Sequence, residues 1–187
     1  MYVLPKDEKA LKAILSDSEI LWKEKDKALK LLRLNNFSGD ISFISYCLMP
    51  NHFHLLVKQK NATTIDTFMN SLCTRYAMYF NKKYKRVGVL FQDHYKAVRV
   101  ASDEQLLHLS RYIHRNPIKL LQGGPLQSYS YSSYQEYLGL RSSSWVASHL
   151  ILDYFRKNKN ASESYRSFVE GGGVDESMLA LALIDEA

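Results

Sequence analysis

The chain has 187 residues, 46% of them hydrophobic, enough to bury a real core in one domain with an appendage. No apolar run is long enough to span a bilayer, and the opening Met1-Tyr2-Val3-Leu4-Pro5-Lys6-Asp7 has no signal-peptide layout. The two cysteines, Cys47 and Cys73, offer no zinc pattern and read as buried free thiols of a reducing cytosol. The formal net charge is +6, but residues 170–187 hold five acidic residues and no basic one, so the 25 basic residues all lie in 1–169 against 14 acidic ones. A body that basic suits a polyanion such as nucleic acid, although a solvated lysine-rich face would give the same total.

In chain order, residues 5–34 read as helical. Leu11, Ile14 and Leu15, then Ala28, Leu29, Leu31 and Leu32, recur at helical spacing, with Lys23, Lys25, Lys27 and Lys30 on a wet face. Residues 35–40 are rich in turn formers. Residues 41–48 favour a strand, Met49-Pro50-Asn51 turns the chain, and residues 52–58 return antiparallel as a hairpin. Alternation along that returning strand puts His52, His54 and Leu56 on one face and Phe53, Leu55 and Val57 on the other. Two imidazoles side by side make two-thirds of a small metal site.

Thr63 or Thr64 can cap a helix over 65–83, with Ile65, Phe68, Met69, Leu72, Tyr76, Tyr79 and Phe80 as its apolar stripe. A basic exit follows, and residues 87–100 are expected to contain a strand. Lys82, Lys83, Lys85, Arg86, Lys96 and Arg99 face only Asp93 in this stretch, with Tyr84, Phe91 and Tyr95 interleaved. Cations among aromatics suit a single nucleic-acid strand, and Arg75, Arg111 and Arg115 extend the basic set. An ordinary arrangement, aromatics inside and lysines outside, fits each residue taken singly.

Ser102-Asp103-Glu104-Gln105 is a capping-box signature, and Pro117 should stop the helix it opens at Asn116. Leu106, Leu109 and Ile113 give that helix an apolar face, while Gln105, His108, Tyr112 and Asn116 form a polar stripe. Residues 128–137 are rich in Ser and Tyr, the span from Trp145 to Phe155 resumes a helical pattern, and Gly171-Gly172-Gly173 reads as a joint before a tail, 174–187, that is either a short helix or disordered.

If the helix over 103–116 packs on the face carrying His52 and His54, Asn116 can add an amide oxygen and Tyr112 a phenol one turn earlier. Such a metal, Mg²⁺ or Mn²⁺ by its mixed donors, could polarise a phosphodiester beside a tyrosine nucleophile. Taken alone, a His-x-His pair is more often a strand with two half-buried histidines, one tyrosine among 13 has little claim to be a nucleophile, and Asn before Pro is an ordinary helix end. His114 could replace Asn116 as ligand, but it lies two positions from Tyr112 and so on another face.

Tyr46-Cys47-Leu48-Met49-Pro50-Asn51-His52-Phe53-His54-Leu55-Leu56-Val57 closely resembles the His-hydrophobic-His motif of single-tyrosine transposases, in particular the REP-associated and insertion-sequence (IS200-like) branches. The resemblance continues through Arg86–Gln92, Tyr95-Lys96-Ala97 and Arg111-Tyr112-Ile113-His114-Arg115-Asn116-Pro117, and it covers about residues 41–140. It implies a ferredoxin-like α/β (α+β) sandwich with a central antiparallel sheet. Residues 1–140 would form the catalytic domain, 141–170 a C-terminal helical extension and 171–187 an acidic tail. It also implies that His52, His54 and Asn116 bind a divalent metal, that Tyr112 is the nucleophile, and that single-stranded or hairpin DNA is cut to leave a 5′-phosphotyrosine. Members usually open with a strand ending in a Tyr-His-Val-x-x-Arg-Gly-like segment, which nothing before Lys6 matches. The first strand is therefore expected to be missing and a sheet edge to be exposed, unless another element or a second subunit fills the gap. The protein is expected in the cytoplasm with the nucleoid, as a monomer or a homodimer, with no membrane partner. The competing readings are a non-catalytic single-stranded nucleic-acid binding module derived from a decayed transposase, and a phosphodiesterase that works through water.

Overall fold

A computed structural model describes residues 4–156 and 160–171. The tail 174–187, and the glycine joint beyond Gly171, lie outside the described residues. The chain is an α+β protein, with seven α-helices and one two-stranded antiparallel sheet among the described residues. It divides into two compact units, Met1–Ile41 with Gln59–Leu90, and Ser42–Lys58 with Phe91–Ala187.

The first unit holds α1 (Glu8–Ser16), α2 (Trp22–Arg33) and α3 (Thr64–Tyr84). The single helical run expected over 5–34 is two helices, because Ser16-Asp17-Ser18 offers the backbone competing bonds. Asp17 takes the Glu19 N–H at 2.9 Å, a turn that ends the first helix. Asp7 caps α1 by accepting from Ala10 N at 2.9 Å, and Lys6 Nζ donates to the last carbonyls of α2, Leu32 O at 3.0 Å and Leu34 O at 2.8 Å. Phe37 meets Phe68 edge to face at 5.3 Å, and these two with Ala28, Ile41 and Met69 are the buried apolar residues here. Thr63 stands at the N-cap of α3 without a capping side-chain bond; Gln59 Oε1 accepts the Ile65 N–H instead, at 2.9 Å. The apolar stripe of α3 is buried at Phe68 and Met69 only, while Tyr76 and Tyr79 are exposed.

The second unit is built on a hairpin of β1 (Ile41–Leu48) and β2 (Phe53–Gln59). A two-residue Pro50-Asn51 turn, closed by Met49 N to His52 O at 2.8 Å, joins them. Of the central antiparallel sheet that the resemblance implies, the described residues supply this hairpin and two isolated bridges on the far edge of β1. These are Cys47 with Ser132, antiparallel, and Phe43 with Val146, parallel. Residues 129–147 thus fill that edge: Tyr131 O takes Leu48 N at 2.9 Å, Tyr46 O takes Ser133 N at 3.0 Å, and Phe43 O takes Ala147 N at 2.7 Å. Two tyrosine hydroxyls add to the seam, Tyr129 on Leu48 O at 2.7 Å and Tyr137 on Ile44 O at 2.8 Å.

Residues 87–100 form no strand, contrary to expectation. Gly88 at φ 95° breaks the extended run, Val87 and Val89 lie in water, and no ladder partner faces them among the described residues. Further on come α4 (Asp103–Arg115), a 3₁₀ turn (Asn116–Lys119), α5 (Tyr134–Tyr137), α6 (His149–Leu152) and α7 (Ala161–Glu170). The helix expected from Trp145 to Phe155 shrinks to α6 and a 3₁₀ turn, Asp153–Phe155, because Val146 bridges to Phe43 and Trp145 stacks on Tyr46 at 5.1 Å. Ile44, Cys47, Leu56 and Ile113 share one core with Tyr134, Tyr137, Ile151, Tyr165 and Val169.

Candidate active site

His52 directly precedes β2 and His54 is its second residue, so the alternation of an extended chain brings both rings to one face, 4.9 Å apart and edge to face. Asn51 Oδ1 bonds His52 Nδ1 at 2.7 Å. This fixes the ring and leaves Nε2 as the nitrogen to bind a ligand, an orienting role often seen beside metal-binding histidines. Sequence reading passed over Asn51, although its place next to His52 was the available signal. On the opposite face Phe53 meets Phe91 at 6.1 Å.

The tyrosine helix reaches the site through its caps and its core. Ser102 Oγ accepts Gln105 N at 3.1 Å, the N-cap bond that the sequence signalled, and Gln105 Oε1 reaches back past the cap to accept Ala101 N at 2.7 Å. Buried Ile113 seats α4 on the core of the hairpin. Tyr112 then lies with its ring 5.6 Å from that of His54, edge to face. Asn116 caps α4 with helical backbone, φ −49° and ψ −41°, so it stands one turn beyond Tyr112 on the same stripe. The other two residues of that stripe go elsewhere. Gln105 is held in the cap, and the His108 ring rests on Phe168 at 5.6 Å.

The opposite side of α4 is moored by His114, weighed above only as an alternative ligand, and by Tyr165 and Ser133. His114 is fully buried, with Nδ1 2.8 Å from Tyr165 Oη and Nε2 2.8 Å from Ser133 Oγ. Each ring nitrogen therefore has a hydroxyl partner, and the chain of bonds runs on at both ends: Tyr46 N–H donates to Ser133 Oγ, Ser133 Oγ also reaches Tyr46 O at 3.2 Å, Tyr165 O–H donates to Ser110 Oγ, and Ser110 O–H to Leu107 O. Such a ring is neutral, and burial holds its pKa down at about 3. His114 is therefore a tie between α4, α7 and β1, turned away from the Tyr112 stripe.

The residues expected on DNA fall into three places. Arg75, Lys82, Lys83, Lys85 and Arg86 line α3 and its exit, the last four exposed. Tyr95, Lys96 and Arg99 lie on the irregular 91–100 segment, with Lys96 and Arg99 exposed. Arg111 and Arg115 point at the end of α7, where their guanidiniums donate to Gly171 O and, at 2.7 Å, to Val169 O. Arg111 also lies over the Phe168 ring, and burial, then the Arg115 charge, lowers its pKa. Two cations on the free carbonyls of a helix C-terminus are a structural clasp.

As a donor set, two imidazoles and an amide oxygen fit a divalent cation with open positions for oxygen ligands. No group of three or more His, Cys, Asp or Glu side chains that could hold a metal ion converges among the described residues. The structure thus brings a pair of histidine rings on a hairpin and a tyrosine of α4 together in an α+β protein. The sequence model of one protein family, Transposase IS200 like, matches residues 19–116, just over half of the chain, and the chain belongs to that family. No curated protein and no solved structure matches the chain. No helix among the described residues is long and apolar enough to cross a membrane.

Proposed function

We propose that this transposase-family protein cuts and rejoins single-stranded or hairpin DNA through a 5′-phosphotyrosine on Tyr112. One observation carries the reading: the His54 ring touches both the His52 ring, at 4.9 Å, and the Tyr112 ring, at 5.6 Å. Tyr112 Oη attacks the scissile phosphorus and forms the new O–P bond. The bond to the 3′ oxygen breaks, the phenol loses its proton, and the departing strand leaves with a 3′-hydroxyl. Rejoining reverses these changes with a new 3′-hydroxyl as the attacking group. His52, His54 and Asn116 would hold Mg²⁺ or Mn²⁺, whose charge, when bound, polarises the phosphodiester. The exposed cations Lys82, Lys83, Lys85, Arg86, Lys96 and Arg99 would neutralise DNA phosphates, which makes binding salt-dependent. Arg111 and Arg115 serve the reading indirectly, by holding α7 under the tyrosine helix.

The test is incubation with hairpin oligonucleotides and Mn²⁺. The wild type should give a covalent protein–DNA band, Tyr112→Phe should lose it while still binding DNA, and His52→Ala should weaken Mn²⁺ binding in calorimetry without DNA. A covalent band that persists in Tyr112→Phe refutes the assignment. A non-catalytic single-strand binding module is the second reading. The basic, aromatic end of α3 favours it, and it predicts salt-sensitive binding without metal dependence or cleavage.

A further inference from the structure

α3 is apolar along one stripe for its whole length, yet only the first half of the stripe is covered. Phe68 and Met69 are 0% and 4% exposed, whereas Tyr76, Tyr79 and Tyr84 are 48%, 58% and 54% exposed. Phe80 lies among them, so the four rings run as a series: Tyr76 is 6.4 Å from Tyr79 and 6.1 Å from Phe80, and Phe80 is 4.5 Å from Tyr84. A continuous patch of exposed aromatic rings marks a surface for binding.

The charges on the patch limit what that partner can be. From Arg75 to Arg86 there are five basic residues and no acidic one. They are interleaved with the rings: Lys83 Nζ is 5.7 Å from the Tyr79 centroid and 5.3 Å from that of Tyr84, and the Arg86 guanidinium is 5.7 Å from Phe80. The helix ends with Lys85 at φ 52°, and Asn81 Nδ2 holds the following loop by Gly88 O at 2.8 Å, which keeps Arg86 beside the rings. A second copy of this face would bring five like charges against five. A duplex would supply phosphates but hide the faces of its bases. A single strand supplies phosphates for the cations and open base faces for the rings.

We propose that this face of α3 is a stacking surface for single-stranded DNA, with bases on Tyr76, Tyr79 and Tyr84 and the backbone on Lys82, Lys83, Lys85 and Arg86. The proposal rests on the reading that the protein handles DNA, but it does not involve Tyr112. The three tyrosines would hold the strand by geometry that any base can satisfy, so this surface would bind without sequence preference.

The experiment uses the full chain and a short oligonucleotide carrying 5-iodouracil. Photo-cross-links in the wild type should map to Tyr76, Tyr79 or Tyr84. Replacing all three with Ala should weaken single-strand binding about tenfold or more, with duplex binding and the salt slope nearly unchanged. Replacing them with Trp should restore affinity. Cross-links confined to other residues overturn the proposal even if the Ala variant folds poorly. So does equal loss for single strand and duplex, a tyrosine-dependent dimer in sedimentation, or tighter binding to phosphatidylserine vesicles than to the oligonucleotide. If the Ala variant binds like the wild type while the wild type still forms its Tyr112 adduct, the stacking surface alone fails. If the wild type neither binds the oligonucleotide nor forms an adduct, the DNA reading fails and this proposal with it.

Discussion

Tyr165→Phe removes one oxygen from a site that is closed on all sides. That hydroxyl lies 2.8 Å from His114 Nδ1 and 3.0 Å from Ser110 Oγ, and all three residues are fully buried. Ser110 keeps its bond to Leu107 O, so its loss is small. His114 Nδ1 is left without its hydroxyl partner in an apolar space among Tyr134, Tyr137 and the new ring. A lost buried hydrogen bond and an orphaned polar nitrogen together cost about 2–3 kcal/mol. For a chain of this size that lowers Tm by about 4–12 °C. Trp145 stacks on Tyr46 in the same unit and makes a local reporter, while exposed Trp22 can be removed as Trp22→Phe to silence the other unit. Urea unfolding followed by Trp145 fluorescence in that background measures the difference. A change below about 0.5 kcal/mol, less than one ordinary net hydrogen bond, would refute the view that this network ties α4 to α7.

Acid should loosen the same network. His114 is held neutral down to about pH 3, whereas the unfolded chain takes its proton near 6.5. Its contribution is therefore complete above 6.5 and falls as pH drops below it, by about 2 kcal/mol between pH 7 and pH 5. Urea curves across that range should show the slope in wild type and lose it in His114→Gln; identical slopes would count against the assignment. In the same unit Arg141 grips Glu136 with Nε at 2.8 Å and Nη2 at 2.6 Å, and it also reaches Tyr46 Oη at 2.9 Å. Arg141→Met strands a nearly buried carboxylate and should cost about 3 kcal/mol, partly recovered by adding Glu136→Gln. If the double variant is no more stable than the single one, the ion pair is not what fixes this loop.

The parts of the fold written in local sequence are legible, and those written in distant contacts are not. The Ser102–Gln105 signature opens α4 where expected because a cap acts within four residues, whereas Asn116 keeps helical backbone ahead of Pro117 and the chain runs on as a 3₁₀ turn, Asn116–Lys119. The hairpin and the shared face of His52 and His54 follow from alternation alone. Residues 87–100 misled because a hydrophobic run becomes a strand only when a neighbour supplies its bonds. Tyr76 and Tyr79 fit the period of a buried stripe, and periodicity gives a face without saying what covers it. His114 shows the limit most clearly. Its partners Tyr165 and Ser133 lie 51 and 19 residues away, so nothing in the local motif marks it as a structural tie. Charge marks Arg111 and Arg115 as basic residues, but not their bonds to the end of α7, because the carbonyls that receive them lie 60 and 54 residues on.

The seam that residues 129–147 form along β1 also makes the C-terminal third a structural dependency of the histidine hairpin. A chain cut after Ser128 would leave the outer carbonyls and amides of β1 bare and sticky, open to any extended peptide that came near. It would also lose both serine and tyrosine anchors that face the strand. The truncated protein should collect as insoluble material, and a soluble fragment meant to isolate the two histidines will have to carry this segment along.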